Sequence, residues 1–153
     1  MKATLKSRIF SRAGFLCLVA ALFCAAPLGA RAAGGELKLE AQLVVGTNQG
    51  KPQDSGLKPV SHDIEKKLKH LPLKWDHYYV AGEKKFKVAE GKSHTISLSQ
   101  DCQVSVKNLG DCKVEVTLMN RSLTIGRVTQ TLRKGQTLVT GGSAENSIVV
   151  LWQ

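Results

Sequence analysis

Residues 96–118 read ISLSQDCQVSVKNLGDCKVEVTL, and their alternation decides the fold. Ile96, Leu98, Cys102, Val104 and Val106 share even parity, as do Cys112, Val114, Val116 and Leu118, with mostly polar residues between them. A period of two is the pattern of a strand with one buried face and one wet face. Leu109, Gly110 and Asp111 interrupt it as a three-residue hairpin loop, which sets Val106 opposite Val114, Asn108 opposite Cys112 and Cys102 opposite Leu118. Both cysteines then face the core but lie about six residues apart, on the order of 20 Å. A disulfide needs Cα atoms within about 7 Å. A Cys102–Cys112 bridge is therefore disfavoured, and two buried thiols are expected.

Outward from this hairpin the same signals recur. LKWDHYYV, KKFKV, HTISLS, SLTIGRVTQTL, QTLVT and NSIVVLWQ read as strands, punctuated by AGE, AEGK, RKG and GGSAEN. Turn residues at such spacing indicate a sandwich or barrel. Upstream, ELKLEAQLVVGTN places Leu37, Leu39, Ala41 and Leu43 at alternate positions and predicts a first strand ending at Gly46. Residues 46–60 are dense in Gly, Pro, Asn and Asp and read as an exposed loop.

A helix follows at about 62–71, with Ser61 as N-cap, Asp63 and Glu65 first and Lys66, Lys67, Lys69 and His70 last. That order of charge suits the helix dipole. Ile64, Leu68 and Leu71 form one apolar stripe, and Pro72 stops the helix. The expected architecture is mostly β: an antiparallel β-sandwich of 7–9 strands with one short helix after the first strand.

The amino-terminal segment is of another kind. Lys2, Lys6, Arg8 and Arg12 precede the apolar run AGFLCLVAALFCAA, and Ala30 and Ala32 offer small residues for cleavage. This is the pattern of a secretory signal peptide over 1–32, and the run is shorter than the roughly 20 residues that span a bilayer. Its removal leaves one domain over 33–153 and lowers the net charge by five, from +10 to +5. A secreted or periplasmic protein, not membrane-spanning after cleavage, is expected.

HLPLKWDHYYV, residues 70–80, gathers two histidines, an aspartate and three aromatic residues. Read as a strand, it sends Leu73, Trp75, His77 and Tyr79 one way and Asp76 and Tyr78 the other, so Asp76 cannot orient His77 for acid–base work. His62 and His70 are eight apart, about 80° round a helix, rather than at the i, i+4 spacing that holds a metal. No Gly-x-Ser-x-Gly turn and no phosphate-cradling glycine loop occurs. No metal, cofactor or catalytic residue is expected.

Charge gives the one hint of a partner. Lys66, Lys67, Lys69 and Lys74 run through the helix and beyond, and Lys84, Lys85 and Lys87 follow. Such lysines attract polyanions, which for an exported protein means an anionic envelope polysaccharide or lipid surface. An unidentified protein is the other candidate partner. Nucleic acid is not favoured, because Trp75 and Tyr79 share the parity that looks buried and so offer no base-stacking platform.

CQVSVKNLGDCKVEVTL, followed by QTLRKGQTL, resembles the immunoglobulin-like β-sandwich modules of exported bacterial proteins. With no catalytic constellation in the sequence, the expected role is a non-catalytic binding or structural module docking through its lysine-rich face. A small secreted hydrolase or metal-dependent enzyme is the alternative from a second class. Assembly through the C-terminal strand SIVVLWQ, apolar on both faces, is a third.

Overall fold

The computed structural model describes residues 35–51 and 56–153. The leader expected at 1–32 lies outside the described residues, as does the centre of the 46–60 loop. The chain runs through β1 (Leu37–Thr47), β2 (Lys58–Pro59), α1 (His62–Lys69), β3 (His77–Val88), β4 (Ser93–Ser97), β5 (Gln103–Gly110), β6 (Lys113–Asn120), β7 (Leu123–Thr131), β8 (Thr137–Gly141) and β9 (Ser147–Trp152). Two antiparallel sheets result, one ordered β2-β3-β1-β9-β8 and the other a plain meander, β4-β5-β6-β7. The described residues form a mostly β sandwich of these nine strands with one short helix, as the alternation predicts.

Two hydrophobic clusters hold three layers together. Between the sheets, Leu37, Leu39, Ala41 and Leu43 of β1 meet Val104, Val106, Val114, Val116 and Leu118, so the even-numbered valines do face the core. The five-stranded sheet also buries residues on its other side. There Val44, Tyr78, Ile148 and Val150 pack against Ile64 and Leu68 of α1. Strand β9 serves both clusters, with Val149 and Leu151 inward and Ile148 and Val150 toward the helix, which is why SIVVLWQ is apolar throughout.

β9 lies between β1 and β8 and is hydrogen-bonded on both sides. It therefore has no free edge to offer a second chain, and the expectation of assembly through SIVVLWQ is corrected.

The hairpin of β5 and β6 closes two residues away from the expected register. Val106 pairs with Val116, Asn108 with Val114 and Gly110 with Lys113. The loop is Asp111 and Cys112 alone, with φ of 51° and 59°, the left-handed pair that a two-residue hairpin loop needs. A bulge at Leu109 absorbs the extra residue. The cause is polar and so invisible to the hydrophobic pattern. Asn108 is buried, donates from Nδ2 to the carbonyls of Val88 (3.0 Å) and Gly35 (2.9 Å), and accepts from the Gly110 N–H (3.0 Å).

A shift by two preserves parity, so the valines keep their face. Cys112 moves out of the strand into the turn and is half-buried, correcting the expectation of two buried thiols; Cys102 is fully buried, and both are free. They flank β5 at its two ends, Cys102 just before Gln103 and Cys112 just after Gly110.

Residues 73–88 also differ from expectation. Leu73–Asp76 are not strand, and AGE is no turn: β3 runs unbroken from His77 to Val88 against the long β1. A bulge at Ala81 takes up one residue, since Val44 pairs with Val80 and Leu43 with Gly82. Face parity therefore flips within β3. Phe86 and Val88 face the inter-sheet core, whereas Tyr78 and Val80 belong to the helix side. Tyr78, not Tyr79, is the buried tyrosine.

α1 ends at Lys69, closing over His70 and Leu71 with bonds to the carbonyls of Lys67 and Leu68. Ser61 occupies the N-cap position, but its hydroxyl makes no cap bond. Most of the helix's stability must then come from burying Ile64 and Leu68, about 1.5–3 kcal/mol each.

Candidate functional site

The seven lysines singled out by the sequence do not form one patch. Lys66, Lys67 and Lys69 project from α1, and Lys74 lies in the connection to β3. Lys85 and Lys87 alternate with Phe86 and Val88 and so lie on the helix side of the sheet, whereas Lys84 shares the opposite parity. Several are already engaged. Lys69 pairs with Glu65 at 2.8 Å, Lys85 with Glu40 at 3.1 Å and Lys87 with Glu36 at 3.3 Å. Lys67 Nζ donates to Thr137 Oγ1 (2.7 Å) and to the Gly135 carbonyl (3.3 Å). Lys66, Lys74 and Lys84 have no side-chain partner among the described residues and stand outside the row described next.

Register assembles a narrower site on the helix side of the five-stranded sheet. Lys85 pairs across strands with Glu40, Glu40 with Trp152, and Trp152 with Thr137, one row crossing β3, β1, β9 and β8. At adjacent-strand spacings of about 4.8 Å the row spans roughly 14 Å. Lys67 comes down from α1 onto Thr137 and closes its far end. In the next row Lys38 lies directly opposite Lys87.

A groove of about 340 Å³ opens here, lined by Lys38, Glu40, Lys85, Lys87, Trp152 and Gln153 among others. Its surface is largely apolar, although four of its lining residues carry charge, Lys38, Glu40, Lys85 and Lys87. Trp152 also borders a smaller recess of about 200 Å³ with Ser61, Asp63, Ile64 and Lys67, so the indole stands between the groove and the helix. The Gln153 Oε1 atom is buried without a hydrogen-bond partner.

Of the lysines chosen from sequence, the fold thus brings together Lys67, Lys85 and Lys87. Lys38, Trp152 and Gln153 were missed. Lys38 was legible, because Leu37, Leu39 and Ala41 point inward and leave it on the outer face. Trp152 was not, since a strand apolar on both faces does not show which face carries which neighbour.

The stretch HLPLKWDHYYV serves structure. Asn48 clamps it, donating from Nδ2 to the Lys74 carbonyl and accepting at Oδ1 from the Asp76 N–H, both at 2.9 Å. Asp76 and His77 are both exposed and make no bond to each other. Burial, with a further contribution from Asp76, pushes the Tyr78 phenol above its ordinary range. Glu65 is held below the usual carboxylate range by its hydrogen bond to Lys69, whose own pKa rises in return. His94 is exposed and stacks on Phe86 with ring centroids 5.5 Å apart. Among the described residues no three His, Cys, Asp or Glu side chains converge as metal ligands, and no helix is long and apolar enough to cross a membrane.

A second, polar recess of about 380 Å³ is lined by residues including Ser99, Asp101, Asn120, Arg121 and Ser143. Arg121 bonds Asp101 there. Burial raises the Cys102 pKa, partly offset by hydrogen bonding with Ser143. The thiol is thus held protonated, the reverse of a nucleophilic cysteine. Compared with known proteins, the chain matches no family model, no curated protein and no solved structure.

Proposed function

We propose that the protein is an exported, non-catalytic binding module that docks on an anionic component of the cell envelope through the helix side of its five-stranded sheet. The observation that carries this reading is the row Lys85–Glu40–Trp152–Thr137, closed by Lys67 and flanked by Lys38 and Lys87. It sets cations from three separate elements around a single aromatic residue on one face. Export is supported by the charged and apolar pattern of residues 2–26 and the small residues at Ala30 and Ala32.

The surface ion pairs do not argue against such a role. Exposed pairs of this kind contribute about 0–1 kcal/mol and exchange readily for another anion. Co-sedimentation of the purified protein with the envelope fraction of its own cells, across a salt series, tests the reading. Binding should fall steeply as salt rises. The double variant Lys67→Gln, Lys85→Gln should weaken it further. Binding that ignores both salt and these lysines, or no binding at all, overturns the proposal.

A further inference from the structure

We infer that the groove over β3, β1 and β9 is a binding site for an acidic saccharide, with Trp152 as the stacking surface for a pyranose ring and Lys38 and Lys87 as the pair that holds its anionic group. This inference rests on the proposed docking on an anionic envelope component and names the chemistry of that contact.

Three observations converge on it. The first is electrostatic. Lys38 and Lys87 are direct cross-strand partners on one face. Like charges placed opposite each other in a sheet oppose folding; Glu36 pairs with Lys87, whereas Lys38, flanked in sequence by Glu36 and Glu40, makes no ion pair of its own among the described residues. An anion seated between the two ammonium groups relieves that repulsion. A local choice that works against the fold is expected where function requires it.

The second is shape and polarity. The groove's surface is largely apolar although Lys38, Glu40, Lys85 and Lys87 line it, with Trp152 half-buried at its side. An indole held this way presents a flat apolar surface matching the C–H face of a sugar ring, and ordering it costs little because β9 already fixes its backbone on both sides.

The third is an unmet hydrogen-bond acceptor. Gln153 Oε1 is buried without a partner beside Trp152. Buried acceptors are ordinarily satisfied, and a rotation of this side chain into the groove would let a ring hydroxyl supply the missing donor. Glu40, on the same row, is a second acceptor for hydroxyls.

A lipid surface fits less well. The exposed large apolar residues Leu71, Leu109, Leu123 and Ile125 belong to the helix end and to the four-stranded sheet, so among the described residues no exposed apolar rim surrounds the groove. Insertion into acyl chains would require one.

The test is titration of the purified protein, by calorimetry at low salt, with an oligogalacturonate hexamer, its neutral methyl ester and a sulfated pyranose hexamer. Saturable one-to-one binding of an acidic hexamer, with no binding of the neutral ester, is expected. Removing both ammonium groups, Lys38→Gln with Lys87→Gln, should weaken binding by about tenfold or more, the loss of charge-assisted hydrogen bonds. Trp152→Leu should abolish it. Because Trp152 also packs against the helix cluster, the exposed lysine pair provides the decisive variant. Lys66→Gln with Lys84→Gln, outside the row, should leave the affinity unchanged.

The inference is overturned if neither acidic hexamer binds, if the ester binds equally well, or if Lys38→Gln with Lys87→Gln has no effect. It is also overturned if phosphatidylglycerol vesicles, and not the hexamers, bind through these lysines. Salt-sensitive envelope binding without hexamer binding leaves the docking proposal standing and removes the saccharide site. Hexamer binding in the groove without envelope binding does the reverse.

Discussion

Trp75 lies over Gly46, its ring filling the space where any larger residue would place a side chain: a Cβ on Gly46 would stand 2.3 Å from Trp75 Cδ2. This contact seats the α1–β3 connection on the end of β1, and the two bonds from Asn48 hold it there. Gly46→Ala must push the indole aside, so a loss of about 1–3 kcal/mol is expected. In a Trp75→Ala background the same substitution should cost far less, and a double-mutant cycle by denaturant unfolding measures the difference. Equal costs in the two backgrounds would mean that the contact does not constrain Gly46.

Asn108 joins β5 to the end of β3 and to the chain before β1. Asn108→Ala strands the Gly110 N–H and withdraws a donor from two carbonyls. Each buried group left unsatisfied costs about 1–3 kcal/mol, so the variant should lose at least about 2 kcal/mol. Asn108→Asp should not rescue it at neutral pH, because a carboxylate would face the carbonyls of Val88 and Gly35 as an acceptor. Thermal melts of the two variants decide this, and stability close to that of the parent protein would reject the anchoring role.

Leu68 belongs to the helix-side cluster and has no part in the inter-sheet core. Leu68→Ala should cost about 2–5 kcal/mol. Val116→Ala acts in the other cluster. Hydrogen exchange should show Leu68→Ala raising exchange first in α1 and around Tyr78, with β5 and β6 still protected. Uniform loss of protection would show instead that the two clusters unfold as one unit.

The two thiols should react at different rates. Cys112, half-buried in a turn, should titrate with a thiol reagent in the folded protein, whereas Cys102, with no exposed surface and a raised pKa, should react only on unfolding. If neither reacts before or after unfolding in the unreduced protein, both are oxidised and this prediction fails.

Alkaline pH should destabilise the fold. Cys102 and Tyr78 both have folded pKa values raised above their ordinary values of 9.0 and 10.0. The folded state therefore holds protons that the unfolded state has already released, and stability falls as pH rises through that range. Their contribution is fully present below about pH 9. Denaturant midpoints measured from pH 8 to 11 should decline, and the slope should be shallower in Cys102→Ala. An unchanged slope would assign the decline to other groups.

The strands of residues 96–118 were legible because alternation survives any shift by two, and Val104, Val106, Val114 and Val116 face inward in either register. The helix was legible from Ile64, Leu68 and its order of charges. Hairpin register was not, because it turns on the bonds of one buried Asn108 side chain and on two left-handed residues that are not glycine.

β3 was misread for a similar reason: AGE looks like a turn, yet a bulge at Ala81 against an 11-residue partner strand carries the chain straight on. Of the candidate site, sequence supplied Lys67, Lys85 and Lys87 but not Lys38, and nothing about which of them meet. Lys38, Lys87 and Trp152 come from positions 38, 87 and 152, and only the pairing of β1 with both β3 and β9 puts them on one face. Local pattern shows which residues are buried where a strand runs unbroken, because there burial follows the period; at the β3 bulge and the β5–β6 turn it does not, as Tyr78 and Cys112 show. Convergence depends on strand order, and strand order is settled only when the whole chain has packed.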